Sequence, residues 1–124
     1  MQDFRKLKVW QKSHLLALHV YAKTAAFPKA EMFGVTSQTR RASVSIAANF
    51  AEGSARNGDK EFARFLYISL GSASELEYLS ILIADLNLQK KAEAEKIETD
   101  ATEIKRMLCG LIASLPIQHL KTES

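Results

Sequence analysis

The sequence predicts an all-α fold, an antiparallel up-down-up-down four-helix bundle formed by one domain that spans residues 1–124. Apolar residues recur at three- and four-residue steps through four long segments, which is the period of a helix. The connections between these segments are short, so consecutive helices are expected to run in opposite directions. The 124 residues include only five glycines and two prolines, which is too few for a turn-rich β fold.

The first helix is predicted from about Leu7 to Ala25. Its most regular apolar stripe follows Leu7, Trp10, His14, Leu18, Tyr21 and Ala25. A second apolar face follows Val9, Leu16 and Val20. The helix ends before Phe27-Pro28, because a residue that precedes proline avoids the α region. The connector AFPKAEMFGV is expected to pack over one end of the bundle through Phe27, Met32, Phe33 and Val35.

The second helix is predicted from Ser37 to Glu52, with Thr36 as its N-cap. It contains RRASVSIAANFAEG, residues 40–53, in which small side chains replace the large ones of an ordinary apolar stripe. One stripe follows Val35, Thr39, Ala42, Ile46, Asn49 and Gly53, and a second follows Val44, Ala47, Phe50 and Ala51. A helix that is apolar on two sides is expected to be buried on both, one against the core and one against another chain. Asn49 either fixes the register of that contact by hydrogen bonding across it, or bonds together with Glu52 to a nearby helix end.

The third helix is predicted from Asp59, its N-cap, to about Asn87, which can adopt the left-handed conformation that ends a helix. The small residues of GSASE, which begins at Gly71, allow a neighbouring backbone to come close. The fourth helix is predicted from Gln89 to Leu115, with a stripe at Ile97, Ala101, Ile104, Leu108, Leu111 and Leu115. The tail IQHLKTES is expected to fray.

Composition and cysteine content indicate a cytoplasmic protein. No uncharged apolar stretch reaches the roughly 18 residues that a membrane-spanning helix needs, so no membrane partner is expected. The N-terminus lacks the apolar region of a secretory signal. The single cysteine, Cys109, fits a reducing compartment and is expected to be a small buried hydrophobic residue.

Charge is distributed unevenly along the chain. Residues 1–56 contain nine Lys and Arg against three Asp and Glu, a net charge of +6, whereas residues 57–124 contain eight against eleven, a net charge of −3. A basic half suits a polyanion such as RNA, although a solvated surface explains the same charges. The candidate phosphate contacts are Arg5, Lys6, Lys8, Lys12, Arg40, Arg41 and Arg56. Arg41 has an alternative role, as the partner of Glu52 or Glu75 at an interface.

Catalytic and metal-binding patterns are missing from the sequence. A di-metal bundle needs Glu-x-x-His pairs, and none occurs. His14 and His19 are five residues apart, about 140° around a helix, and therefore do not converge on one ion. No Gly-rich phosphate loop follows a strand. We therefore expect no catalytic residue, no metal and no cofactor.

Several motifs resemble one family of helical proteins. The order VWQKS, FP-x-x-E-x-FGV-x-x-Q-x-RRA-x-VSIAANFAEG and GSASELE is similar to the S23 or 23S rRNA intervening-sequence protein family, over about Phe4 to Leu115. Phe50 stands where the family commonly has isoleucine, and LNL stands where a glycine is more usual. The resemblance implies a cytoplasmic bacterial four-helix bundle that assembles as a ring-like homopentamer and brings no catalytic residues. It also implies similarity to the accessory proteins of diversity-generating retroelements, which bind nucleic acid and a reverse transcriptase.

Three functional hypotheses follow. The first is a non-enzymatic oligomeric protein that binds structured RNA through a basic surface, and the second is a ring-shaped scaffold for a partner protein. The third, an enzyme, requires a polar ligand pocket that the sequence does not reveal. The candidates for oligomer contact or close helix packing are Ser45, Ala48, Asn49, Glu52, Gly53, Gly71, Ser72 and Glu75.

Overall fold

A computed structural model describes residues 3–116 of the chain. Within this range the protein consists of four α-helices and three short helical turns, without strands. The α-helices are α1 (Lys8–Thr24), α2 (Ser37–Ser54), α3 (Asp59–Asp85) and α4 (Lys91–Ser114). The turns are two 3₁₀ turns, Phe4–Lys6 and Lys29–Glu31, and a π-helical turn, Met32–Thr36. The tail at 117–124 lies outside the described residues.

All four helices contribute to one hydrophobic core and therefore form a helical bundle. Its largest fully buried side chains include Ile46, Phe50, Leu66, Leu76 and Ile104. A smaller cluster closes one end of the bundle, where Phe27 and Val35 of the connector pack with Ile83 and Ala94. The all-α prediction is confirmed.

The second apolar face of α1, rather than its most regular stripe, packs into the core. Val9, Leu16 and Val20 are buried, and Val20 has no exposed surface. In the regular stripe, Leu18 is 54% exposed and Tyr21 is 46% exposed. The face of α1 that contains Leu18 and Tyr21 is therefore left uncovered by residues 3–116.

The connector between α1 and α2 differs in part from its prediction. Phe27 and Val35 pack over the end of the bundle as expected, but Met32 is 43% exposed and Phe33 is 98% exposed. The prediction that Thr36 caps α2 is wrong. Because the turn Met32–Thr36 runs directly into α2, Thr36 has helical dihedral angles and makes no side-chain capping bond.

The turns before and after α3 use residues with positive φ. Gly58, with φ of 86°, occupies the N-cap position, so Asp59 is the first helical residue rather than the predicted cap. At the other end Asn87 has φ of 57°, and the Leu88 N–H donates to the Ile83 carbonyl at 3.0 Å. This is the hydrogen bond of a Schellman ending, which confirms the prediction for Asn87.

Helix α4 presents the first four residues of its predicted stripe to the core, with Ile97, Ala101, Ile104 and Leu108 fully buried. Towards the end of the helix Ile112 is buried instead, and Leu111 and Leu115 are partly buried against the core. The prediction for Cys109 is wrong, because its side chain is exposed. Cys109 follows Leu108 by one residue, a rotation of about 100° around the helix, and this rotation carries it out of the buried stripe.

Candidate interaction surfaces

An apolar groove of about 400 Å³ lies between α1 and α2. The side chains that line it are Phe4, Trp10, His14, Ala17, Leu18, Tyr21, Val44, Ala47, Ala48 and Ala51. The α1 residues include most of the regular apolar stripe, and the α2 residues come from the small-residue segment 40–53. The groove is thus the place where the unburied apolar faces of the two helices meet.

The two walls of this groove differ in side-chain size. The α2 wall carries Ala47, Ala48 and Ala51 beside Val44, whereas the α1 wall carries Leu18 and Tyr21 beside Ala17. Aromatic rings continue the lining towards the start of α1, where the Trp10 ring lies 5.0 Å from Phe4 and stacks at 5.1 Å on His14. A surface with this composition fits a partner that inserts bulky apolar side chains.

Helix α3 carries four exposed apolar residues in two pairs, Tyr67 with Ile68 and Tyr78 with Ile81, and these two pairs are called the α3 ridge. Their side chains are between 41% and 59% exposed. These four residues were not among the contact candidates predicted from the sequence. The sequence does contain a feature that identifies them. They lie between the stripe positions of α3, where a helix that faces solvent carries charged or polar residues.

Part of the small-residue segment serves packing between α2 and α3 within the chain. The Ser45 and Ser72 hydroxyls hydrogen bond across the two helices at 2.7 Å, and the Ser69 hydroxyl donates to the Ile46 carbonyl at 2.9 Å. Gly53 is buried, and a Cβ atom there would lie 2.6 Å from the Phe65 Cβ atom. The backbones approach closely here because Gly53 has no side chain.

The polar residues of the segment bond locally, Asn49 within α2 and Glu52 to a residue just past the end of α2. The Asn49 amide donates to the Ser45 carbonyl and hydroxyl, both at 2.9 Å. Glu52 accepts a hydrogen bond from Arg56 at 2.8 Å, one turn further along the chain. Of the remaining candidates, Ala48 and Gly71 are exposed, and Gly71 has open space around the position of a Cβ atom.

Arg41 and Glu75 line a polar pocket of about 320 Å³ between α2 and α3, together with Gln38, Ala42 and Ser45. Both charged side chains belong to exposed residues. The adjacent Arg40 has different surroundings, because its Nε donates to the Thr24 hydroxyl at 2.8 Å and its guanidinium lies 4.6 Å from the Tyr21 ring centre. Arg40 therefore joins the start of α2 to the end of α1.

The predicted phosphate contacts do not come together on one surface. Arg40 contacts the end of α1, whereas Arg5, Lys6 and Lys8 lie at its beginning. The 17 residues of α1 separate these groups by roughly 24 Å. Arg5 bonds to Asp3 at 3.1 Å, while Lys6 and Lys8 are exposed and have no carboxylate of residues 3–116 within ion-pair distance.

Acidic residues of α4 neutralise part of the basic half of the chain. Lys12 lies 3.7 Å from Asp100 and 3.3 Å from Glu103, and Lys23 lies 3.6 Å from Glu93. These pairs cross from α1 to α4. The charge asymmetry along the sequence is consequently reduced where the two helices meet.

His19 lies among these charges on the α1–α4 side of the bundle. Burial lowers the pKa of His19, and the neighbouring Lys96 and Lys23 lower it further. Its Nε2 atom is buried without a hydrogen-bond partner among the described residues. The environment of this side chain therefore favours the neutral imidazole.

The helices carry neither a metal-binding cluster nor a membrane-spanning segment within the described part of the chain. Between residues 3 and 116, no group of three His, Cys, Asp or Glu side chains is placed to hold a metal ion. None of the helices in that range combines the length and the apolar character needed to cross a membrane.

Comparison with known proteins assigns the family. The family model of the 23S rRNA-intervening sequence proteins matches residues 5–110, which is most of the chain. The chain belongs to this family. A crystal structure of an S23 ribosomal protein family member from Bacteroides thetaiotaomicron, a protein with unknown function, resembles this intervening-sequence protein with a TM-score of 0.76 and 28% sequence identity. The similarity covers 84% of this chain and 97% of the Bacteroides chain. No functionally curated protein matches.

Proposed function

We propose that this family member is a non-enzymatic cytoplasmic protein that assembles into a ring and binds RNA in the assembled form. The observation that carries the proposal is the open apolar groove between α1 and α2. Its solvent-facing side chains include Leu18, Tyr21 and Val44, which are between 42% and 54% exposed. A contiguous exposed apolar surface of this kind is typical of a protein-interaction site.

The ring and its number of subunits come from the family resemblance, which implies a homopentamer. Antiparallel helices within each subunit are part of the same proposal. Contacts between α2 and α3 support this direction, because Ser45 bonds to Ser72, Ile46 to Ser69, and Gly53 lies against Phe65. The position in α3 moves backwards as the position in α2 moves forwards.

RNA binding is supported by the exposed cations at the start of α1. Lys6 and Lys8 are exposed, and no carboxylate of the described residues lies within ion-pair distance of either. Two lysines per subunit give weak binding, because contacts to phosphates are screened by salt. A ring repeats the pair on every subunit, so that one RNA molecule can engage several pairs at once with higher avidity.

A fluorescence titration with structured RNA at about 50 and 200 mM salt tests RNA binding. We expect binding to weaken with salt, and the double variant Lys6→Ala/Lys8→Ala to bind more weakly and to depend less on salt. The matched control is Lys60→Ala/Lys90→Ala, which removes two exposed lysines from the acidic half of the chain. No binding of the wild-type protein at about 50 mM salt contradicts the RNA proposal.

A ring-shaped scaffold for a partner protein is the second candidate function, and exposed apolar surface outside the groove favours it, such as Phe33, which is 98% exposed. Apolar surface is recognised by another protein surface rather than by phosphates. An oligomer that fails to bind RNA at low salt supports this alternative. An oligomer whose RNA affinity falls in the Lys6/Lys8 variant, but not in the control, supports RNA binding.

A further inference from the structure

We propose that the α3 ridge of one copy docks into the α1–α2 groove of the next copy. The inference rests on the self-association proposed above and names the two surfaces that make the contact. The occupant of the groove is thus a second copy of the same chain.

The two surfaces have comparable lengths. Along α3, the ridge runs from Tyr67 to Ile81, fourteen residues or about 21 Å along the axis, and Tyr67 and Tyr78 lie on nearly the same side of the helix. Along α1, the groove lining runs from Trp10 to Tyr21, about 16.5 Å, and Phe4 extends it beyond the start of the helix. A ridge of this length can therefore lie along the groove.

Side-chain sizes on the two surfaces are also complementary. The ridge presents the bulky Tyr78 and Ile81 on an exposed helix face. The groove carries Ala47, Ala48 and Ala51 along its α2 side. Alanines leave room for large side chains, and large apolar side chains packed against small ones exclude water.

The charges beside the two surfaces have opposite signs. Lys12 and Lys23 pair with acidic residues of α4 and lie away from the groove, but the Arg40 guanidinium lies beside it, 4.6 Å from the Tyr21 ring centre. On α3, Glu77 pairs with Lys105, whereas Glu75 and Asp85 belong to exposed residues near Tyr78 and Ile81. A groove facing another groove brings like charges together, as does a ridge facing another ridge. Contact between a groove and a ridge brings opposite charges together.

This contact is heterologous, because each copy uses two different surfaces. A heterologous contact repeats around an axis and closes into a ring when the rotation is suitable. The alternative is an isologous contact, in which both copies use the same surface and form a closed dimer. The two arrangements respond differently when one surface is damaged.

Two variants test the inference by light scattering at micromolar concentration. Ala48→Glu places a charged side chain in the groove, and Tyr78→Glu removes a ridge tyrosine and adds to the acidic charge of that surface. Each variant alone is expected to be monomeric, because every contact needs an intact groove and an intact ridge. A 1:1 mixture is expected to form a heterodimer, in which the intact groove of one variant holds the intact ridge of the other.

The control is Ala92→Glu, which changes an exposed alanine of α4 and is expected to keep the wild-type mass. Far-ultraviolet circular dichroism establishes that each variant is folded. If a glutamate variant is unfolded, two double variants replace the pair, Ala48→Cys/Cys109→Ser and Tyr78→Cys/Cys109→Ser, so that each protein has one cysteine at the proposed contact. Mixing and oxidising them is expected to give a disulfide-linked dimer that neither gives alone.

Each contrary result has a distinct meaning. A monomeric wild-type protein contradicts self-association itself, and with it the proposed assembly. An oligomeric wild-type protein whose mass survives Ala48→Glu or Tyr78→Glu contradicts the groove–ridge contact but not self-association. A mixture of folded monomeric variants that forms no heterodimer, and a cysteine mixture that forms no crosslink, likewise overturn the groove–ridge contact.

Discussion

Replacing Gly53 with alanine tests the close approach of α2 to α3. The added Cβ atom would lie 2.6 Å from the Phe65 Cβ atom and 3.2 Å from Cδ1 of Phe62. Carbon atoms in ordinary contact are about 3.5–4.0 Å apart, so the helices must separate by roughly 1 Å. The Phe65 Cβ atom is fixed to the backbone and cannot move away by a change of rotamer.

The expected net cost of Gly53→Ala is about 2 kcal/mol of unfolding free energy. Overpacking of this kind costs about 1–3 kcal/mol. The helix propensity of alanine offsets at most about 1 kcal/mol, and less at Gly53 because α2 ends at Ser54. For a domain of this size, the loss corresponds to a melting temperature about 8 °C lower.

Gly110→Ala is the matched control, because Gly110 lies inside α4 with open space around its Cβ position. We expect this variant to be about 1 kcal/mol more stable than the wild type, from helix propensity alone. Thermal unfolding followed by circular dichroism, at one protein concentration for all variants, measures both changes. The reasoning is refuted if Gly53→Ala unfolds at or above the melting temperature of Gly110→Ala.

Three further predictions concern single side chains. Arg40→Ala is expected to lower stability by about 1–2 kcal/mol, since it removes the bond to Thr24 and the stacking on Tyr21, whereas Arg41→Ala is expected to be nearly neutral in the same denaturant titration. Because burial holds the pKa of His19 below its ordinary 6.5, the unfolded chain binds a proton more readily, so stability is expected to fall as the pH drops below about 6.5. His19→Gln should have a flatter melting profile between about pH 6.5 and 5, and an identical slope in both proteins contradicts this assignment. Cys109 is expected to react with a thiol reagent in the folded, monomeric Ala48→Glu variant as fast as in denaturant. Slow labelling of that folded variant would argue against the exposure of Cys109.

The sequence was sufficient to predict the helices, but not which face of a helix is buried. In α1 the most regular apolar stripe contains Leu18 and Tyr21, yet the core receives Val9, Leu16 and Val20. Periodicity identifies an apolar face without identifying what covers it. The two faces of α1 are distinguished by packing against the other helices, and packing is a property of the whole fold.

The charged candidates were hard to place for a related reason. The basic half of the chain includes Lys12 and Lys23, whose partners Asp100, Glu103 and Glu93 come from the acidic half. Charge counted along the sequence takes no account of which helices become neighbours. The role of a residue is easier to predict from sequence when it depends on local backbone conformation. Asn87 is an example, because asparagine readily adopts the positive φ that ends a helix.

The ion pairs between α1 and α4 have a consequence for local unfolding. The side chains of Lys12 and Asp100 keep 29% and 20% of their surface exposed, and pairs at this exposure contribute at most about 1 kcal/mol each and weaken with salt. By contrast, α2 and α3 are joined by close backbone packing and buried hydroxyl bonds. Helix α1 is therefore the element expected to detach first, at a free energy below that of global unfolding. Because α1 forms one wall of the groove, each such opening also dismantles the groove, so that amide protection along α1 reports on the surface that a partner would hold closed.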